Sequence, residues 1–223
     1  MVLEGANPHC LKGAMGLVAV AQICSAAARG CAPLEHRRAK PMSNEWPKVT
    51  SRQTVRLSPW VDIVAREVEF APGVAPEIYH AVGQQDYLAI LARTPTGRFP
   101  IVRQYRPALE VFTWELPAGL AEPDEDLAEG CRRELLEETG FPTRAIYPLG
   151  MAAPCSGRLG NRIHSFFLET GDRIADFVPE RGIEVELVTA AELVNMIKLG
   201  EFTSQQHLGT LLLAELKSFI VLR

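Results

Sequence analysis

The chain has 223 residues, 47% of them hydrophobic and 22% charged, with a net charge of −4. A chain of this size encloses a core that can hold a rigid site without disulfides or structural metal. The acidic balance excludes a protein that grips nucleic acid through a global basic field, and no apolar run reaches the ~18 residues of a membrane span.

The five cysteines, Cys10, Cys24, Cys31, Cys131 and Cys155, are odd in number and form no C-x-x-C pair. That pattern fits a reducing compartment better than a disulfide framework or a zinc cage, so a cytoplasmic location is expected. Residues 1–45 stand apart. The apolar AMGLVAVAQICSAAA (14–28) lies between Lys12 and the basic stretch around Arg37 and Arg38. It reads either as a disordered extension or as a targeting segment.

From Trp46 strands dominate. RQTVRL, WVDIVAREVEF and EIYHAV are short, alternating and bounded by Pro or Gly, which predicts a small antiparallel unit over 46–82. The main domain then runs over 83–223. YLAILART and FPIVRQY flank TPTG and predict a hairpin. FTWELP, AIYPLGM, IHSFFLET and IEVELV read as further strands, and AAELVNMIKL and SQQHLGTLLLAELKSF as closing helices. Strands flanked by helices predict an α/β or α+β layered domain.

Between FTWELP and AIYPLGM lies the acid-rich GLAEPDEDLAEGCRRELLEETGF, residues 119–141. Pro123, Asp124, Glu125 and Asp126 form a helix start, with acids at the positive end of the dipole, and Gly140 is the matching stop. Leu127, Ala128, Cys131 and Leu135 share one arc as a buried stripe. Glu134 and Glu138 lie one turn apart with Glu137 close by in angle, so three carboxylates share a face, and Gly130 clears space a turn earlier. Two such charges about 5 Å apart repel by roughly 3 kcal/mol at an effective dielectric near 20. Oxygen ligands of this kind suit Mg²⁺, with Mn²⁺ as a substitute. The alternative is a solvated amphipathic helix laced by pairs such as Glu129–Arg133.

This segment fills all nine fixed positions of the Nudix box: Gly119, Glu125, Arg133, Glu134, Leu135, Glu137, Glu138, Gly140 and Phe141. The chain therefore resembles the Nudix hydrolases, which split a nucleoside diphosphate linked to another moiety. The resemblance implies an α/β/α sandwich with a mixed sheet. It makes Glu134, Glu137 and Glu138 metal ligands, Arg133 their catalytic orienter, and Glu125 a brace for the loop–helix–loop. IVRQYRP (101–107) and WELPAGL (114–120) resemble the ADP-ribose and nucleotide-sugar pyrophosphatase branch. That likeness gives Arg106 and Glu115 substrate contacts and makes the Ala118 carbonyl a metal ligand. It also implies a homodimer through the accessory β-unit. The charge balance and the lack of a long apolar run leave no nucleic-acid or membrane partner expected.

The proline that ADP-ribose-preferring members carry beyond the box falls here on Ser156, with Pro154 two residues earlier. The following GRLGNRIH places Arg158, Asn161, Arg162 and His164 where the branch is usually acidic. The expected substrate is therefore ADP-ribose or another nucleoside diphosphate sugar, UDP- and GDP-sugars included. A glutamate of VPERGIEVELV is expected as the general base, and Glu180 is chosen over Glu184 and Glu186 because Pro179 and Gly182 place it in a loop. Trp60 is a candidate for stacking on the base, as is Trp46, against the alternative that each packs the small β-unit. Cys131 reads as core, and His164 as an ordinary strand residue. A rival reading is a sensor that binds a nucleotide sugar without cleaving it. The complete set of box glutamates and the short C-terminal remainder argue against that.

Overall fold

The computed structural model describes residues 45–222, and the readings made for residues 1–44 lie outside the described residues. Residues Trp46–Arg223 belong to one compact unit. It opens with an antiparallel sheet of three strands, β1 (Lys48–Arg56), β2 (Asp62–Glu69) and β3 (Glu77–Gly83). The side chains of β1 are almost all exposed, while β2, with a strand on each edge, is half-buried.

The turn after β4 (Tyr87–Arg93) is as tight as TPTG suggests: the Thr94 N–H donates to the Arg98 carbonyl over 2.8 Å. The predicted hairpin nevertheless does not form. β4 and β5 (Phe99–Arg106) leave the turn into different sheets. β4 joins the mixed order β7-β4-β9-β8, parallel to β9 (Ile163–Thr170) and antiparallel to β7 (Ala118–Leu120), with β8 (Thr143–Ala152) on the far edge. β5 lies antiparallel between β6 (Val111–Glu115) and β10 (Glu184–Val188). The cause lies in β4 itself. Leu88 to Ala92 are all fully buried, so both faces of this strand need a covering layer and both edges a partner.

Those layers are helical. Leu88, Ile90 and Ala92 of β4, with Phe166 and Leu168 of β9, pack under Cys131 and Leu135 of α1 (Leu127–Thr139). On the opposite face Leu91 and Phe167 meet Leu193 of α2 (Ala190–Leu199) and Leu211 and Ala214 of α3 (Gln205–Leu216). The result is the α/β/α sandwich with a mixed sheet. Each fully buried leucine contributes roughly 1.5–3 kcal/mol through burial alone. Truncating Leu135 to alanine would cost about 2–5 kcal/mol, because α1 would then sit on a void.

The sequence places the ends of α1 with one difference. Its N-cap is Asp126, whose carboxylate accepts from the N–H groups of Ala128 and Glu129, so the helix begins at Leu127. Pro123 to Glu125 form the preceding turn rather than the first helical turn, and Asp124 there has φ 64°. Gly140 ends the helix in the left-handed conformation, at φ 73°, and donates its N–H to Leu136.

Candidate active site

The site is built where β7 meets α1. β7 pairs Gly119 with Leu88 and Leu120 with Tyr87, which fixes the short Ala118–Gly119 backbone beneath the helix. A Cβ on Gly119 would lie 2.1 Å from the Glu134 carboxyl carbon, so only glycine leaves room for this side chain. The Glu138 carboxylate accepts the Ala118 N–H over 3.0 Å and is only 5% exposed. Gly130 has a matching role. A Cβ there would meet Leu88 at 2.7 Å and the Glu125 carboxylate at 2.8 Å.

Arg133 organises the acids. Its Nε and one terminal nitrogen donate to both oxygens of Glu125, each over 3.0 Å. The other terminal nitrogen donates to Glu134 over 2.7 Å and to Glu137 over 3.2 Å. Glu125 also accepts the Glu122 N–H and thereby ties the loop to the helix. The Arg133 guanidinium holds its carboxyl below the usual range. Glu129 pairs with Arg132 rather than with Arg133, so the expected surface lacing is displaced by one residue.

Burial raises the Glu134 carboxyl, opposed by Arg133 and reinforced by the charges of Glu137 and Glu180. Burial likewise pushes Glu138 up to about 8, with Glu134 and Glu180 adding to it against the Ala118 N–H. Glu180 is thus close enough to act on both carboxyls, although it is exposed and more than 40 residues away in sequence. Its loop is moored to the end of α1. Arg173 donates to the Thr139 carbonyl over 2.9 Å, the Ile174 N–H donates to Gly140, and Phe177 fills the space that a Cβ on Gly140 would occupy. Glu184 and Glu186 lie on β10, both exposed, and Glu184 pairs with Arg103.

Oxygen-only donors, two of them largely buried, and more carboxylates than cations form a set that fits a hard divalent ion. Among the described residues no three such side chains converge as a finished cage, since Arg133 draws Glu134 and Glu137 towards itself.

Arg106 and Glu115 sit in the adjoining corner and grip each other. Nε donates to one carboxylate oxygen over 2.7 Å and a terminal nitrogen to the other over 2.5 Å, while Thr113 adds a bond of 2.6 Å. Burial alone would raise Glu115, but the bonds from Arg106 and Thr113 bring it below its ordinary value. Arg106 also donates to the Tyr87 hydroxyl, and its charge acts on Glu138, which joins this corner to the box. Behind Glu115, His207 is wholly buried and accepts the Leu116 N–H at Nδ1. Burial lowers its pKa to about 4, so the ring is neutral.

Tyr87, Arg106, Thr113 and Glu115 line an open cavity of about 420 Å³, together with Pro154, Asn161 and the start of α3. Trp60 is not among its lining. It is 63% exposed on the β1–β2 turn and borders a different hollow with Gly83 and Pro123. Trp46 carries Lys48 over its ring and also stays out of the cavity. Cys131 lies in the core, where burial raises its thiol. His164 pairs with Asp86 over 2.7 Å on β9. Sequence reasoning passed over Tyr87, His207 and the cradle at Gly119. Only the spacing of Gly119 from the acids hinted at the last.

A mixed sheet between helical layers, with a glycine-led loop opening an acid-bearing helix, defines the class. A solved structure of an ADP compounds hydrolase shares this fold, with a TM-score of 0.65 over 80% of this chain and 98% of that one, at 18% identity. Residues 84–207, more than half of the chain, match the NUDIX domain, and the chain belongs to that family. It is 28% identical over 122 residues to the ADP-ribose pyrophosphatase of Bacillus subtilis, covering 55% of this chain and 65% of that protein. A CMP-5'-(N-acetyl-N-hydroxy-3-aminopropyl)phosphonate hydrolase of Streptomyces rubellomurinus is 26% identical over the same length, covering 55% and 59%. The chain thus spans under two thirds of each of these relatives.

Proposed function

We propose that the protein hydrolyses the pyrophosphate bond of ADP-ribose or a related nucleoside diphosphate sugar, using Mg²⁺ or Mn²⁺. The observation that carries this is the pair of largely buried carboxylates, Glu134 and Glu138, pressed against the Ala118–Gly119 backbone with Glu137 at the rim. These three glutamates, with the Ala118 carbonyl, are the proposed ligands. A bound divalent ion supplies positive charge against the diphosphate oxygens.

The chain's own groups do the rest. Arg133 orients Glu134 and Glu137 through a fork that no lysine reproduces. Water attacks one phosphorus, the bridging P–O bond breaks, and a nucleoside monophosphate and a sugar phosphate leave. Glu180 is the proposed acceptor of the attacking water's proton, supported by its charge acting on both Glu134 and Glu138 and by the mooring of its loop to the end of α1. Arg106 faces the phosphates from its pairing with Glu115.

Pro154 lines the cavity while Ser156 holds the branch's proline position, which supports UDP- or GDP-sugars as the second reading. Val55, Leu57, Ile78 and Tyr79, exposed on and beside the β1–β3 sheet, support a homodimer through this unit. Cys131 and Cys155 are free thiols, in keeping with a cytoplasmic site. No described helix is long and apolar enough to cross a membrane.

The test is a panel of ADP-, UDP- and GDP-sugars assayed by phosphatase-coupled phosphate release, with Mg²⁺ and then with chelator. Rapid, chelator-sensitive release from ADP-ribose is the expected result. Equal rates across the panel would defeat the substrate assignment, and no release from any member would defeat the reaction.

A further inference from the structure

We infer that His207 is a positioning residue for the box: from α3 it holds the Leu116 N–H and so sets the Ala118–Gly119 backbone against which Glu134 and Glu138 lie. This rests on the proposed metal site for its purpose, whereas the bond itself can be read without metal.

Leu116 and Pro117 join β6 to β7, which belong to different sheets, so the passage between them lies outside both ladders. Its polar groups are claimed one by one from three elements. The Pro117 carbonyl accepts the Ile90 N–H of β4 over 3.0 Å, and the Ala118 N–H goes to Glu138 of α1, also over 3.0 Å. Proline brings no N–H, so the donor of the passage is that of Leu116. It goes to Nδ1 of His207 over 3.3 Å, and in this way α3 holds the turn that leads into the box.

A histidine suits this position for two reasons. Leu116 and His207 are both fully buried, so water does not serve the N–H, and an apolar side chain would leave it unpaired. The ring is also neutral in the core, which keeps a lone pair on Nδ1 and the proton on Nε2, where the Gln206 side chain lies 3.4 Å away. The Glu115 carboxylate, 3.8 Å from Nδ1, is itself an acceptor and gives that nitrogen no proton. α3 is in turn keyed to the sheet. Thr210, about one turn on, donates to the Gln206 carbonyl and meets the Ser165 hydroxyl of β9 over 2.9 Å.

The turn beyond Leu116 has no slack. A Cβ on Gly119 would overlap the Glu134 carboxyl, and Glu138 takes its backbone partner from Ala118. A Leu116 released from the ring would let Ala118 and Gly119 shift, displacing the proposed carbonyl ligand and two of the three carboxylates together.

The experiment compares the full-length wild type with His207→Asn, which keeps an acceptor at the δ position, and with His207→Leu, which keeps the shape and loses the acceptor. Calorimetry with Mn²⁺ should show affinity about tenfold weaker in His207→Leu and within about twofold of wild type in His207→Asn. Amide hydrogen exchange at Leu116 should quicken in the leucine variant alone. In metal-free wild type, ¹⁵N NMR should find the His207 proton on Nε2, a reading that needs no variant to fold. Three results would each overturn the inference: a proton on Nδ1, wild-type Mn²⁺ affinity in a His207→Leu chain that melts as wild type does, or a loss in His207→Asn as large as in His207→Leu. Failure of the wild type to take up Mn²⁺ would overturn the metal reading, and with it the purpose of the bond. That failure is distinguishable, because tautomer and exchange are read without metal.

Discussion

Arg133 and Arg106 each clasp a glutamate through two nitrogens of the guanidinium, yet the two corners they organise carry different balances of charge. Arg133 alone faces Glu125, Glu134 and Glu137, with Glu138 buried just behind. Arg106 pairs with one carboxylate, that of Glu115, and the histidine beneath them is neutral. The first corner is left with uncompensated negative charge close to buried carboxyls, while the second closes on itself. That imbalance is what supports the proposed metal at the box rather than at the Arg106 corner.

This contrast can be sharpened by substitution. Glu138→Gln removes the most buried box carboxylate without changing its size, and kcat should fall by about 10³-fold with the fold retained. A smaller loss, about 10²-fold, is expected for Glu180→Gln, with Glu184→Gln near wild type because Glu184 is occupied by Arg103 on an exposed strand. Steady-state kinetics on ADP-ribose separates the two, and equal losses would remove Glu180 from the chemistry.

Arg106→Ala should act on stability as much as on binding, since it leaves Glu115, 4% exposed, without its partner. A loss of about 2–4 kcal/mol in denaturant unfolding is expected, and Glu115→Gln in the same background should restore part of it. The smallest effect concerns pH. His207 has a folded-state pKa of about 4 against an ordinary 6.5, so the unfolded chain binds the proton more readily. Its contribution is complete above pH 6.5 and is lost as pH falls towards 4. Thermal melts should show Tm falling over that window, and less steeply in His207→Gln.

Much of the layout was legible before the structure. α2 spans the AAELVNMIKL stretch because its apolar period is helical and Thr189 and Glu192 close a capping box. The box helix, its glycine stop and its buried Cys131–Leu135 stripe were equally plain. β7 escaped notice because three residues after a proline show no period. The hairpin reading of TPTG failed for a different reason: a tight turn fixes the local reversal, whereas sheet membership is decided by which faces must be covered. The unbroken apolar run of β4 carried that signal. Contacts between distant segments were not legible. The mooring of the Glu180 loop depends on Phe177 packing over Gly140, and Arg106 locked to Glu115 depends on two strands that pair antiparallel.

The central claim is that the crowded acids of α1 exist to take up divalent metal in partnership with a diphosphate. Isothermal titration of Mg²⁺ and of Mn²⁺ into the full chain, with a non-hydrolysable ADP-ribose analogue present, addresses it directly. Saturable uptake by wild type, lost in a Glu138→Gln variant that melts as wild type does, is the predicted outcome. No uptake by wild type, or uptake indifferent to Glu138, would contradict the account.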